Sequence, residues 1–186
     1  MFSTQTKPCV AVSSCLLGQS VRYDGEHKYN QYIAQTLSKH FELLPLCPEV
    51  AVGLGIPRPA IQLLQTSRGV HAVRVNDPEY DVTEALQDYA KKIANDYGQL
   101  CGYVFKSRSP SCGVKDVPVI SHRQIPGGIG TGIFTAMLTR RLPLLPVITE
   151  TDLEYLHKRQ EFIDQVFGYQ RQHHLIRADS GRSLGQ

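Results

Sequence analysis

Five cysteines stand in a chain of 186 residues, and three of them fall in loops with turn chemistry: Cys15 before Leu-Leu-Gly18, Cys47 before Pro48-Glu49, and Cys112 between Ser111 and Gly113. Cysteines flanked by proline, glycine and serine are placed for ligation or reactivity rather than packing. Cys9 and Cys101 instead open apolar runs and read as small buried hydrophobes. The loop trio is separated by 32 and 65 residues, with no C-x-x-C pair and no fourth cysteine expected beside it, a poor pattern for structural zinc. Three thiolates could hold an iron-sulfur cubane whose fourth iron lacks a protein ligand and acts as a Lewis acid on a soft atom. A thiol nucleophile or plain structural cysteines stay open on spacing alone.

The elements that must position these loops follow from hydrophobic periodicity. Pro8 to Ser14 reads as a strand ending at Cys15, Tyr29 to His40 as a helix, and Phe41 to Leu46 as a strand ending at Cys47-Pro48. Val50 to Pro59 reads as irregular, and Ile61 to Val75 as a hairpin around Ser67-Arg68-Gly69. Asp81 or Thr83 caps a helix to about Tyr97, Cys101 to Lys106 is a third strand, and Gly127 to Gly132 leads into a helix ending near Arg141. Leu144 to Val147 is a short strand, and Asp152 to about Phe167 a last helix. Strands alternating with helices predict an α/β domain of three layers, Rossmann-like, with a mostly parallel sheet. In such sheets ligands sit beyond the carboxyl ends of the strands, where Cys15, Cys47 and Cys112 fall. One domain over residues 1–168 is expected, with residues 169–186 a polar, frayed tail.

Composition excludes more than it names. Lys and Arg number 20 against 17 Asp and Glu, a net charge of +3 spread through the chain, which points to neither a nucleic-acid binder nor a membrane protein. The odd cysteine count, an opening Met-Phe-Ser-Thr-Gln-Thr-Lys without an apolar stretch, and the lack of any window near 18 apolar residues predict a cytoplasmic protein with reduced thiols.

Val12-Ser-Ser-Cys-Leu-Leu-Gly18, Val21-Arg-Tyr-Asp-Gly25, Leu46-Cys-Pro-Glu-Val50, Pro57-Arg-Pro59 and Lys106-Ser-Arg-Ser-Pro-Ser-Cys-Gly113 resemble, in order, the motifs of the thiouracil desulfidase family. The resemblance spans about residues 8–168. It implies an oxygen-sensitive 4Fe-4S cluster held by Cys15, Cys47 and Cys112, and removal of sulfur from thiolated uracil without net redox change. Longer relatives carry a further C-terminal domain and resemble enzymes acting on thiouridine in tRNA. Without that extension, the expected substrate is a small thiolated pyrimidine or nucleotide rather than folded RNA. The competing expectation is a non-catalytic nucleotide-binding module whose cysteines are structural or bind zinc.

Within that reading, Glu49, two residues after Cys47, is the expected acceptor of the attacking water's proton. Ser109 is expected to contact substrate at the reacting centre, with Ser111 beside it. Arg22, Arg58, Lys106 and Arg108 lie inside the motifs and are expected to face an anion, either the cluster with its thiolates or a nucleotide phosphate. Gly128 and Gly130, in the run Gly127-Gly-Ile-Gly-Thr-Gly132 at a helix start, are expected to offer backbone N–H groups to phosphate. Asp24 and Tyr23 are expected to line the pocket, with core packing the alternative for Tyr23. The histidines show no ligand spacing, although His122 could touch a ligand near the glycine run.

Overall fold

The computed structural model describes residues 6–121 and 125–182. Its central strands are the two continuous apolar runs: β1 (Cys9–Ser13) and β6 (Leu100–Phe105) are buried at every position. A strand without alternation must be covered on both faces, which suits the interior of a parallel sheet. β2 (Glu42–Leu46) joins the far side of β1 and β9 (Val147–Thr149) the far side of β6, giving the parallel order β2-β1-β6-β9.

Helices cover both faces. On one side α5 (Leu156–Arg182) approaches β6 at Gly102, where an added Cβ would lie 2.8 Å from Val166, so the glycine sets the close packing. On the other side Tyr103 and Phe105 meet Phe134 of α4 (Ile133–Arg141), which runs beside α3 (Thr83–Asp96). The three-layer α/β arrangement expected from sequence is therefore present. The connection between β1 and β2 contains a π-helical turn, Ile33–Leu37, continuing into α1 (Ser38–His40), in place of the regular helix predicted over residues 29–40.

A second sheet was not expected. β3 (Ile61–Thr66), β4 (Gly69–Arg74), β5 (Asp77–Asp81), β7 (Val117–Ser121) and β8 (Pro126–Gly130) form the order β5-β4-β3-β7-β8, antiparallel except where β3 pairs with β7. The predicted β3–β4 hairpin is its centre. The sheet has its own small core of Ile61, Leu63, Ala72, Val117 and Val119 with Leu86 of α3 and Ile133 of α4. Ala90, Ile93, Phe134 and Leu138 from those same helices join the larger core around β1 and β6. Both helices thus tie the two sheets together.

Two further boundaries move. The last strand is Val147–Thr149 rather than Leu144–Val147, because Leu144 is exposed beyond the sheet edge. α5 continues to Arg182, through most of the stretch expected to fray. Its Gln, Arg and His residues are polar, but straight side chains such as Gln and Arg favour helix and polarity does not end one.

Candidate functional site

Three parallel strands, β2, β1 and β6, end side by side, and the chain leaves β1 toward β2 on one side but reaches β6 on the other. Such a reversal of strand order opens a crevice at the carboxyl edge. After β1 the chain turns through Ser14–Leu17, stopped by Gly18 at φ +88°, which buries Cys15. After β2, Cys47 is the residue preceding α2 (Pro48–Ala51), whose first position is proline. After β6, residues Lys106 to Gly113 fold back before α4. Gly132 at the head of α4 lies against that loop: a Cβ there would sit 2.5 Å from the Ser111 carbonyl, so only glycine admits the approach. Thr135 Oγ1 donates to the Cys112 carbonyl at 2.8 Å and fixes the loop from the helix side.

Cys15, Cys47 and Cys112 line one cavity of about 420 Å³, within the range of small-molecule sites. Burial pushes all three thiols up, Cys15 to about 11, with Cys112 the most affected. Cys47 sits close enough to both others that its charge raises each of them further. The opposing influences are also local: Lys106 and Arg22 lower Cys15, the N–H of Val50 and the charge of Arg58 lower Cys47, and the Ser111 hydroxyl lies 3.6 Å from the Cys112 sulfur. The sulfurs therefore lie in surroundings that disfavour isolated thiolates yet supply cations and donors for thiolates neutralised by a metal centre. Among the described residues, no three His, Cys, Asp or Glu side chains converge tightly enough for a single metal ion. Three soft sulfurs around a cavity larger than one ion fit a polynuclear cluster better than zinc.

Beside the sulfurs, Glu49 is held from two directions. Nε and Nη2 of Arg58 both donate to its Oε2 at 2.9 Å, while Ser111 Oγ donates to Oε1 at 2.7 Å. The Arg58 side chain is 3% exposed and that of Glu49 12%, and the arginine is anchored in turn by the Gly55 carbonyl. The Cys112 N–H donates to Ser109 Oγ, and the two serine hydroxyls lie 3.0 Å apart. With its one proton committed to Glu49, Ser111 must receive the proton of Ser109. A directed chain thus runs from the Cys112 amide through Ser109 and Ser111 to the carboxylate.

The remaining expected contacts divide. Arg22, Arg58, Lys106, Arg108, Ser109 and Ser111 all line the cavity, as do Glu49 and Tyr23. Arg58 and Lys106 also hold carboxylates, Arg58 that of Glu49 and Lys106 that of Glu150, which accepts in addition from the Ser107 amide and hydroxyl. Asp24 lies outside the cavity lining and forks onto Arg22. Arg108 adopts φ +58°, and its amide donates to Asp116. Gly128 and Gly130 do not line the cavity. They belong to β8, where Gly130 admits Val119 at 2.9 Å from its missing Cβ, so the glycine run builds a strand rather than a phosphate cradle. His122 lies outside the described residues. Sequence reading missed Ser13, whose Oγ accepts from the Lys106 amide across β1 and β6, as well as Lys28, Ser107 and Glu150. Glu150 directly follows β9, so the strand-end rule applied to the last strand would have found it.

The family profile described as 2-thiouracil desulfurase matches residues 10–150. A solved structure of TudS, a 4Fe-4S-dependent thiouracil desulfidase, is similar at 31% identity and a TM-score of 0.61, over 84% of this chain and 99% of that one. No curated protein matches the chain.

Proposed function

The chain belongs to the 2-thiouracil desulfurase family, and from that premise we propose that it is an enzyme that removes sulfur from a thiolated uracil, using a 4Fe-4S cluster held by Cys15, Cys47 and Cys112. The observation that carries the reading is the convergence of those three sulfurs on one cavity with a clamped carboxylate beside them. When bound, a three-cysteine cluster supplies an iron without a protein ligand, a Lewis acid that weakens a carbon–sulfur bond.

The reaction replaces C=S by C=O: one water is consumed, its oxygen joins the ring carbon, and sulfur leaves as hydrosulfide with no oxidant or reductant needed. One of the water's two protons leaves with hydrosulfide and the other must be accepted. Glu49 is the acceptor. Arg58 holds its Oε2 in place, and Oε1 has a lone pair to spare beyond the one Ser111 uses. Ser109 and Ser111 orient that oxygen and present hydroxyls to the ring of the substrate. No described helix is long and apolar enough to cross a membrane. Five unpaired cysteines suit a reducing compartment such as the cytoplasm.

Lys28 and Arg108 are the basic side chains at the cavity with no carboxylate partner among the described residues, and they are where a substrate phosphate would be met. A thiouridine monophosphate is therefore expected to show a lower KM than free thiouracil, with Arg108→Ala narrowing the difference. Equal KM values would count against a phosphate contact.

The test of the reaction is direct. Anaerobically reconstituted protein should convert thiouracil to uracil with stoichiometric hydrosulfide. Glu49→Gln should keep its iron and sulfide while kcat falls by about 10²–10⁴-fold, the usual contribution of a general base. Unchanged turnover in that variant would remove Glu49 from the mechanism.

A further inference from the structure

Among the described residues, Tyr23 is the one aromatic side chain lining the cysteine cavity, and it is 44% exposed. What holds it there is local bonding rather than burial. Tyr23 sits in a tight turn, closed by the Gly25 N–H donating to the Arg22 carbonyl at 3.0 Å, with Gly25 at φ +77°. Its carbonyl accepts from the Arg58 amide at 2.9 Å, tying the turn to the residue that clamps Glu49. Arg22 places its guanidinium over the ring, 5.3 Å from the centroid, a cation–π arrangement. That guanidinium is forked in turn by Asp24, Nε onto Oδ1 at 3.2 Å and Nη2 onto Oδ2 at 2.9 Å, and Asp24 Oδ1 also accepts from the Glu26 amide. Asp24 thus fixes Arg22 from outside the cavity lining, and Arg22 covers one side of the Tyr23 ring.

We propose that Tyr23 is the stacking platform for the pyrimidine ring of the substrate, with Asp24 a positioning residue that acts through Arg22. The inference rests on the thiouracil reading above and adds to it the group that recognises the ring instead of the sulfur. A thiolated uracil is a flat heteroaromatic ring: its edge atoms need hydrogen-bond partners, and its faces need a π surface. The cavity offers several edge partners, Ser109 and Ser111 among them, but Tyr23 supplies its one aromatic face. Stacking is indifferent to which exocyclic atom is sulfur, because every base presents a π-face, so the platform serves 2-thio and 4-thio substrates alike.

The chain contains no tryptophan, so Tyr23→Trp installs a single fluorescent reporter at the platform. In the cluster-loaded protein, uracil at the concentration that halves wild-type turnover should quench that emission, and the quenching should saturate. In steady-state kinetics Tyr23→Leu should raise the KM for thiouracil about 5–150-fold, the range base–aromatic stacking supplies, with the loss confined to KM rather than kcat. Tyr23→Phe, which keeps the ring, should restore KM, and Asp24→Asn should raise it part of the way. Emission unmoved by uracil that inhibits turnover, a Tyr23→Leu variant with unchanged KM or with its loss in kcat, or a Tyr23→Phe variant as impaired as Tyr23→Leu overturns the platform while the desulfurase reading stands. An unmoved KM in Asp24→Asn removes Asp24 from the arrangement. A cluster-loaded wild type that neither converts thiouracil nor binds uracil overturns both.

Discussion

At the scale of single residues, the site is a set of polar groups that determine one another. Glu49 owes its orientation to Arg58 and Ser111, and neither could be assigned as a partner from spacing, since they lie nine and 62 positions away. The three cavity cysteines were legible because each follows a strand. Ser111→Ala removes a hydrogen bond to a charged oxygen, an interaction of about 1.5–3 kcal/mol. kcat should fall by about 10–150-fold with cluster content unchanged, measured by steady-state kinetics and iron analysis. Arg58→Ala should be worse for folding than for chemistry, because it strands a nearly buried carboxylate. A loss on the order of 3–5 kcal/mol is expected by denaturant titration.

At the scale of elements, β1, β2, β6 and α3 were readable from sequence because their apolar periodicity agrees with their final environment. Beyond its β3–β4 hairpin, the second sheet was not. β5 is the exposed, charged run Asp77–Asp81 with an internal proline, β8 is mostly glycine, and in β7 Pro118 interrupts an otherwise β-branched run, so each lacks a full strand signal. Glycines in β8 suggested a phosphate loop, yet the glycine that matters to the site is Gly132, through its contact with the Ser111 carbonyl. Gly132→Ala should displace the Cys112 loop, reducing bound iron and destabilising the fold by about 1–3 kcal/mol. Gly168→Ala, whose Cβ in α5 would meet nothing nearer than 3.9 Å, should instead stabilise by about 0.4–1 kcal/mol. Parallel thermal melts and iron assays of the two variants check the contrast.

At the scale of the whole molecule, the fold places three sulfurs at the crevice of a parallel sheet and two, Cys9 and Cys101, at the start of its central strands. Burial raises both Cys9 and Cys15 from 9.0 to about 11, with smaller contributions from Glu42 and Cys101 for Cys9 and from Cys47 for Cys15. The folded cluster-free protein therefore holds protons that the unfolded chain releases above about pH 9. Stability from these groups is fully present below pH 9 and is lost as pH climbs toward 11. Melting temperature against pH should show that decline, and Cys9→Ala should make it shallower.

The central claim is the division of the cysteines, three ligands and two core residues, and anaerobic iron and sulfide analysis of five single alanine variants tests it most directly. Wild type, Cys9→Ala and Cys101→Ala should each carry about four irons and four sulfides per chain, and Cys15→Ala, Cys47→Ala and Cys112→Ala should each lose them. An iron-free wild type, or a cluster that survives loss of one of the three cavity cysteines but not of Cys9 or Cys101, would contradict the account.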